Sequence, residues 1–190
     1  KKAMVICFGT GNTTGTVSLF PEVKVDSIEI DKNVLSLAHH FKKWNQNVLE
    51  KKNVQMVIQD GRTFTRWTKN KYDVITLEPM SPVQAGTVSL YTKDFYELSA
   101  NILNKNGIMM QWLPLHLVGP EDARSILKTF QEVFPHTSIW NSFLTRIVLL
   151  VGSKEEFRID KIRFEELMRL PQLKKSAQEI GINSFLDFTD

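Results

Sequence analysis

The sequence holds very little cysteine and no long apolar run, and each of these shortages excludes a class of protein. Cys7 is the single cysteine in 190 residues, which excludes a disulfide framework within the chain and a zinc site built from several thiolates. The longest apolar stretches, residues 3–8 and 147–151, have the length of strands and are too short to cross a bilayer. These residues show no secretory signal, so we expect a cytoplasmic location.

The sequence has neither a strong excess of positive or negative charge nor a cluster of metal ligands. The 24 Lys and Arg residues nearly balance the 21 Asp and Glu residues. No long basic block stands out, so the chain is not predicted to bind nucleic acid. The four histidines lack metal-ligand spacing with an acid or with the cysteine, so we expect no metal site. Hydrophobic residues make up 42% of the chain, which is enough for a packed core.

The start of the chain and its composition predict how it is organised. The chain begins with Lys1-Lys2 and enters an apolar run at once, without an initiator methionine, so we expect a piece of a longer protein. Within this piece we expect a folded domain over residues 1–152. A charged, helical C-terminal extension is expected over residues 153–190, with breaks at Pro171 and Gly181.

Short apolar runs alternate with longer mixed segments through the first 152 residues. Five strand–helix repeats predict a parallel sheet with helices on both faces, and two final strands joined by a short turn predict an antiparallel hairpin at its edge. We therefore expect a Rossmann-like, methyltransferase-type three-layer α/β sandwich with a mostly parallel seven-stranded sheet. One helix is expected to stop at Asn106-Gly107. The predicted strands are residues 3–9, 24–31, 54–59, 72–77, 108–113, 136–140 and 147–151, and the predicted helices are 13–20, 33–44, 94–103 and 121–134.

A glycine-rich loop directly follows the first predicted strand. Because ligands of such sheets bind at the carboxyl ends of the strands, this loop is the first candidate site. Its GxGxxxG pattern differs from the GxGxxG of pyrophosphate binders. Threonine hydroxyls near the start of the next helix favour an anion or a carboxylate there. The alternative is a plain strand-to-helix turn. The candidate residues are Gly9, Thr10, Gly11, Asn12 and Thr13.

Two acids end the second predicted strand, about 20 residues after the glycine loop, where nucleoside-binding folds place a ribose ligand. A carboxylate at this place can accept hydrogen bonds from both ribose hydroxyls. The alternative is that an acid caps the next helix. We expect both, with Glu29 as the ribose ligand and Asp31 as the cap.

Asp60 and Gly61 end the third predicted strand. Asp60 could accept a hydrogen bond from the exocyclic amino group of an adenine. Gly61 would leave room for the flat base, because glycine has no side chain. The alternative is a common Asp-Gly turn.

Glu78 follows the fourth predicted strand and is the only acid between Thr76 and Lys93. Two prolines in the segment EPMSP stiffen the loop that it begins. Glu78 could orient a cationic substrate or act as a base. The alternative is an acid that is hydrogen-bonded to the loop backbone.

Taken together, these segments resemble the spermidine synthase-like group of the S-adenosylmethionine-dependent transferase superfamily. The resemblance runs from about residue 5 to residue 116, and the closing hairpin extends it to about residue 152. The sequences of the segments EPMSP and MQWLPLH are closest to those of synthase-like domains that are fused to membrane-spanning segments in many bacterial proteins. The segments that carry the resemblance to the spermidine synthase-like group are VICFGTGNTTGT, VDSIEIDKNVLSLAHHF, VIQDGRTF, YDVITLEPMSP…SLYTKDFYEL and NGIMMQWLPLH.

The resemblance implies a ligand and a set of binding residues. The ligand would be S-adenosylmethionine or its decarboxylated form, with S-adenosylhomocysteine or methylthioadenosine as product and no metal. The loop from Gly9 to Asn12 would hold the tail next to the sulfonium, and the loop from Glu78 would face the acceptor amine. The implied cofactor-binding residues are Gly9, Thr10, Gly11, Asn12, Thr13, Glu29, Ile30, Asp60, Gly61 and Glu78.

Two positions depart from the family pattern. Aminopropyl transferases typically carry DxxD after the fourth strand, and here Glu78 matches the first acid and Ser81 the second. A hydroxyl cannot take a proton from the attacking amine near neutral pH. The glycine loop of the family usually holds an acid where this chain has Asn12, and a neutral side chain tolerates the carboxylate of intact S-adenosylmethionine better.

The resemblance still favours one activity, which is aminopropyl transfer from decarboxylated S-adenosylmethionine to a polyamine such as putrescine. Glu78 and Ser81 are the candidate catalytic positions. Methyl transfer to an unknown acceptor is the alternative enzyme, and a non-catalytic ligand-binding domain is the alternative from another class. A homo-oligomer and a fusion to membrane segments outside these residues also stay open.

Overall fold

Seven strands form one mixed sheet in the computed structural model, which describes residues 1–142 and 146–189. The strand order is β3-β2-β1-β4-β5-β7-β6. Strands β1 to β5 run parallel to one another, and β7 runs antiparallel to both β5 and β6. This confirms the predicted sheet and its closing hairpin. The strands are β1 Lys2–Ile6, β2 Lys24–Glu29, β3 Val54–Ile58, β4 Tyr72–Leu77, β5 Leu103–Pro114, β6 His136–Ser142 and β7 Ile147–Ser153.

Helices connect the strands and form the C-terminal segment. The turn predicted between the last two strands falls on residues 143–145, which lie outside the described residues. The α-helices are α1 Asn12–Val17, α2 Lys32–Leu37, α3 Gly61–Trp67, α4 Lys93–Ile102, α5 Pro120–Val133, α6 Lys161–Leu167, α7 Pro171–Glu179 and α8 Phe185–Thr189. Three short 3₁₀ helices span Ala38–Phe41, Val48–Glu50 and Thr87–Tyr91.

Two local predictions are wrong. The helix predicted over 33–44 ends as α2 at Leu37 and tightens into a 3₁₀ turn. The side-chain amide of Asn45 donates to the carbonyl of Ala38 at 2.8 Å, an acceptor that a continuing α-helix would need. Asn106-Gly107 does not stop a helix, because α4 ends at Ile102 and these residues lie in β5. Asn106 has a φ of 62° there, next to a register shift against β4.

Apolar residues pack on both faces of the sheet, which makes the three-layer sandwich that the sequence predicts. On β3, Met56 packs against one apolar cluster and Val57 packs against the other. Alternate residues of a strand point to opposite faces, so the two clusters lie on opposite sides of the sheet. The larger cluster includes Tyr96 of α4 and Phe130 of α5, and the smaller one includes Phe8 and residues around α2.

A buried polar cluster joins the amino ends of three strands. The carboxylate of Asp26 on β2 accepts hydrogen bonds from the Tyr72 hydroxyl at 2.7 Å and the Asn70 amide at 3.1 Å. It also forms an ion pair with Lys2 at 2.8 Å. Burial, followed by the hydrogen bond from Tyr72 to Asp26, raises the pKa of Tyr72 to about 12. This cluster lies at the amino ends of the strands, whereas the candidate site lies at their carboxyl ends. It fixes β1, β2 and β4 against one another.

The C-terminal segment is helical and packs back on the sheet. α7 begins at Pro171, and Gly181 with a φ of 85° lies between α7 and α8. The ring of Phe188 lies 5.2 Å from that of Trp140 on β6, and Phe164 stacks on Phe188 at 5.4 Å. Strand β7 reaches Ser153, so the domain boundary after residue 152 stays a prediction. Across residues 1–142 and 146–189, every helix is too short or too polar to span a bilayer.

Candidate nucleoside-binding site

The candidate acids lie near the half-buried thiol of Cys7 at the carboxyl ends of the strands. Burial raises the pKa of the Cys7 thiol, and the negative charges of Glu29, Glu78 and Asp60 add to the rise, which brings it to about 12. Cys7 directly follows β1 and has a φ of 69°. Three acids at the ends of three different strands therefore lie around the end of β1, a region called the crevice below. The half-buried Cys7 side chain also packs against the larger apolar cluster.

Only one of the three glycines in the loop after β1 borders open space. Gly9 and Gly11 have φ values of 56° and 81°. A Cβ added to Gly11 would lie 2.5 Å from the Phe8 ring, and one added to Gly15 would lie 2.2 Å from the Asn45 carbonyl oxygen. A Cβ on Gly9 would meet no atom closer than the Cys7 carbonyl at 4.0 Å. Gly11 and Gly15 are thus needed for packing, whereas Gly9 leaves room for a ligand.

Replacing Gly9 with Ala is expected to weaken binding of methylthioadenosine at least tenfold, because the new methyl group would enter the space beside the Glu29 carboxylate. Gly181→Ala is the matched control, since Gly181 also has a positive φ and open surroundings but lies in the C-terminal segment. Each change costs about 1–2 kcal/mol of backbone strain. Calorimetric titration and thermal unfolding of both variants measure the two effects. Equal affinities for the two variants would contradict a ligand at Gly9.

The carboxylate of Glu29 joins the loops that follow β1 and β2. Its Oε1 accepts the backbone N–H groups of Ile30 at 2.9 Å and Asp31 at 3.1 Å, and its Oε2 accepts that of Gly9 at 3.3 Å. Glu29 is 7% exposed. A carboxylate oxygen offers about two acceptor positions, so Oε1 is filled and Oε2 has one position left. A second ribose hydroxyl would have to displace the long bond from Gly9.

The two residues after Glu29, Ile30 and Asp31, differ in their contacts. The side chain of Asp31 accepts the backbone N–H of Asn33 at 2.8 Å and caps α2, which confirms the predicted cap. Ile30 is 69% exposed, although an isoleucine side chain is favoured in an apolar environment. Because it directly follows Glu29, this exposed side chain is available for an apolar contact beside the crevice.

Asp60 and Gly61 begin a helix that the sequence did not predict. Asp60 Oδ1 accepts the backbone N–H of Thr63 at 2.7 Å and caps α3. This leaves Oδ2 for the exocyclic amino group of a base. A Cβ on Gly61 would lie 2.4 Å from Cγ2 of Ile6. Glycine is therefore required here so that α3 can pack against β1, a reason different from the expected room for a base.

Glu78 links the loop after β4 to the loop after β1. Its Oε1 accepts a hydrogen bond from the Thr13 hydroxyl in the first turn of α1. Within the described residues, its Oε2 has no hydrogen-bond partner, and the side chain is exposed. The alternative of an acid bonded to its own loop backbone is not what the structure shows. The negative charge of Glu78 thus lies where the two loops meet.

Thr10 and Asn12 stand at the outer side of the glycine loop. Both residues are exposed, and the carbonyl of Thr10 accepts the side-chain amide of Asn45 at 3.0 Å. No acidic residue lies in the first turn of α1, so Glu78 is the carboxylate that contacts this turn. In the part of the chain that the structure describes, His, Cys, Asp and Glu side chains form no group of three that could hold a metal ion.

Comparison with known proteins identifies the family of this chain. The model of the spermine/spermidine synthase domain family matches residues 1–150. The chain belongs to this family. Polyamine aminopropyltransferases match it as well: that of Saccharolobus solfataricus is 33% identical over 141 residues, which cover 73% of this chain and 47% of the relative. The Clostridioides difficile protein is 27% identical over 148 residues, covering 76% and 52%. The chain spans about half the length of these curated relatives.

Solved structures of synthases and a methyltransferase share the fold of this family member. A spermidine synthase in complex with the transition-state analogue AdoDATO superposes with a TM-score of 0.78 at 23% identity, covering 90% of this chain and 60% of the other. Spermidine synthase from Thermotoga maritima has a TM-score of 0.74 with the same identity and coverage. Human methyltransferase-like protein 13 in complex with SAH has a TM-score of 0.73 at 17% identity, covering 93% and 82%. These likenesses confirm the Rossmann-like, methyltransferase-type fold.

Ser81 does not face the crevice of this synthase-family domain as a free hydroxyl. Its side chain is buried, and its Oγ donates to the Leu117 carbonyl in the loop after β5 at 3.1 Å. The hydroxyl proton is thus engaged in holding two loops together. An aspartate here would place a carboxylate oxygen against a carbonyl oxygen, so the Ser81 site is built for a hydroxyl donor. The loop-to-loop contacts of Glu78 and Ser81 left no periodic signal in the sequence.

Proposed function

We propose that these residues form the cofactor-binding and catalytic domain of a polyamine aminopropyltransferase, which uses decarboxylated S-adenosylmethionine and an aliphatic amine such as putrescine. The similarity to polyamine aminopropyltransferases supports this proposal. The single observation that carries it is the contact between Glu78 and Thr13. This contact places a carboxylate between the loop expected to hold the cofactor tail and the loop expected to face the amine.

The residues around the crevice fit an adenosyl ligand. Glu29 Oε2 has one acceptor position for a ribose hydroxyl, and Asp60 Oδ2 is left for a purine amino group. The exposed side chain of Ile30 would lie against the base, and the open space at Gly9 would admit the sugar. Acceptors suit the hydroxyl and amino groups of adenosine, because both groups donate hydrogen bonds.

Glu78 would serve the acceptor amine. A bound sulfonium cofactor supplies an electrophilic carbon next to sulfur and a thioether leaving group. Oε1 of Glu78 is held by Thr13, so Oε2 is the atom left to orient the amine and to accept the proton that its nitrogen loses as the new N–C bond forms. Holding both reactants in one geometry lowers the barrier further, because their relative motion is already restricted.

The position of Glu78 favours the decarboxylated cofactor. The carboxylate contacts the first turn of α1, where the cofactor tail is expected. A tail that ends in an ammonium group alone is attracted by this charge. The carboxylate of intact S-adenosylmethionine would be repelled by the like charge of Glu78. Glu78 would thereby supply the negative charge that Asn12 lacks.

Methyl transfer is the second candidate, and the environment of Ser81 favours it. The family's second acid is replaced by a buried hydroxyl that is bonded to the Leu117 carbonyl. The loop after β4 therefore carries a single carboxylate, fewer than a diamine with two positive charges would be expected to need. A ligand-binding domain without turnover is compatible with the same observation.

One experiment separates these candidates. The purified protein is incubated with putrescine and either decarboxylated or intact S-adenosylmethionine, and the nucleoside products are quantified by mass spectrometry. Aminopropyl transfer yields spermidine and methylthioadenosine in equal amounts from the decarboxylated form only. S-adenosylhomocysteine from the intact form would indicate a methyltransferase instead. Tight binding of both forms without any product would contradict aminopropyl transfer to putrescine.

A further inference from the structure

The loop that begins at Glu78 is held by a buried phenol. The Tyr91 hydroxyl donates to the Met80 carbonyl at 3.1 Å and lies 3.4 Å from that of Pro79. Pro79 directly follows Glu78 in the chain. Tyr91 is 5% exposed and belongs to the large apolar cluster. Burial raises the pKa of its phenol above the usual value, so the hydroxyl keeps its proton and remains a donor.

A buried residue of the sheet supports the backbone next to Tyr91. Gln111 on β5 is fully buried, and its side-chain amide lies 3.4 Å from the Leu90 carbonyl, next to Tyr91. In the register of the sheet, Gln111 pairs with Leu77, the residue before Glu78. A chain of contacts thus runs from β5 through Leu90 and Tyr91 to the backbone at Pro79 and Met80. Gln111, Leu90 and Tyr91 are buried, whereas the Met80 side chain at the end of the chain of contacts is 63% exposed.

We propose that Tyr91 is a positioning residue, whose hydroxyl fixes the backbone at Pro79 and Met80 and thereby sets where the Glu78 carboxylate meets the acceptor amine. This inference rests on the proposed function, since it assigns Glu78 to the amine. Tyr91 acts through Glu78 and is not expected to touch the amine or the cofactor. The expected signature is a loss in amine kinetics without a loss in nucleoside binding.

The neighbouring Tyr96 provides a matched control. Its ring is fully buried in the same apolar cluster, 5.2 Å from the Phe130 ring. Its hydroxyl is buried and has no hydrogen-bond partner in the described part of the chain. Tyr96→Phe therefore removes a phenol oxygen from the same core without touching the loop. Tyr91→Phe removes the equivalent oxygen together with the contacts to Pro79 and Met80.

The test combines hydrogen exchange with kinetics on the wild-type protein and both variants. Tyr91→Phe should speed exchange in residues 83–87 at least fivefold, because the turn in which the Gln84 N–H donates to the Ser81 carbonyl at 3.0 Å loses its support. It should lower kcat/KM for putrescine about tenfold, since misplacing a reacting group by a fraction of an ångström has effects of this order. The Kd for methylthioadenosine should stay within twofold. Tyr96→Phe should match the wild type in all three measurements.

Two results would overturn the inference: unchanged exchange in this loop, or faster exchange with unchanged amine kinetics. A wild-type protein that turns over no amine would refute the proposed function separately. The exchange of residues 83–87 alone would then decide whether Tyr91 holds the loop that begins at Glu78.

Discussion

Replacing Glu29 with Gln is expected to weaken binding of methylthioadenosine about 100-fold. The structure places this carboxylate at the centre of three backbone N–H groups, with one acceptor position left for a ribose hydroxyl. Hydrogen bonds to a charged acceptor contribute about 1.5–3 kcal/mol each, which is about 10- to 150-fold in affinity. The amide of Gln would also turn a donor toward at least one of these N–H groups. Calorimetric titration of both proteins measures the loss.

Asp31→Asn is the control for this prediction. Asp31 lies two residues further along, and its exposed side chain caps α2 through the Asn33 N–H. Asparagine caps helices about as well as aspartate, so neither stability nor affinity should change measurably. A Glu29→Gln protein that still binds the nucleoside within threefold of the wild type would exclude the ribose role. A similar loss for both variants would indicate a general effect of negative charge at this edge.

The strand ends were predictable because two physical patterns specify them. A continuous apolar run that ends in glycine predicts a buried strand followed by a tight turn, and the structure has β1 and the glycine loop there. Glu29 ends β2, Asp60 and Glu78 follow β3 and β4, and the parallel sheet brings all three acids near Cys7 at the end of β1. Topology alone therefore gathers residues that lie far apart in the sequence.

The functions of single side chains were less predictable, because they depend on contacts between loops. Gly61 was expected to leave room for a base, but the Ile6 side chain occupies the place of its Cβ. Ser81 matched the position of a catalytic acid, and only the structure shows that its hydroxyl is bonded to the Leu117 carbonyl. The end of α2 depends on Asn45, whose side-chain amide donates a hydrogen bond to the carbonyl of Ala38, seven residues earlier. Such contacts have no periodicity that a sequence could reveal.

Glu78→Gln is expected to lower kcat for aminopropyl transfer about 100- to 1,000-fold. A positioned acid or base contributes about 10²- to 10⁴-fold to a proton transfer, and Glu78 Oε2 is the atom available for it. Steady-state kinetics at saturating cofactor measure the change. Asp94→Asn is the control, because Asp94 is an exposed acid that pairs with Arg62 at 3.5 Å outside the loop. A Glu78→Gln protein with kcat within threefold of the wild type would exclude the catalytic role.

The same variant separates the two tasks assigned to Glu78. If its charge also attracts the ammonium of the cofactor tail, Glu78→Gln should weaken binding of decarboxylated S-adenosylmethionine and strengthen that of the intact form. Binding of methylthioadenosine, which has no ammonium group, should stay unchanged. A change in kcat without a change in this preference would assign Glu78 to the acceptor amine alone. Because Thr13 holds Oε1 through a hydroxyl, Thr13→Val should shift the same preference in the same direction by a smaller factor.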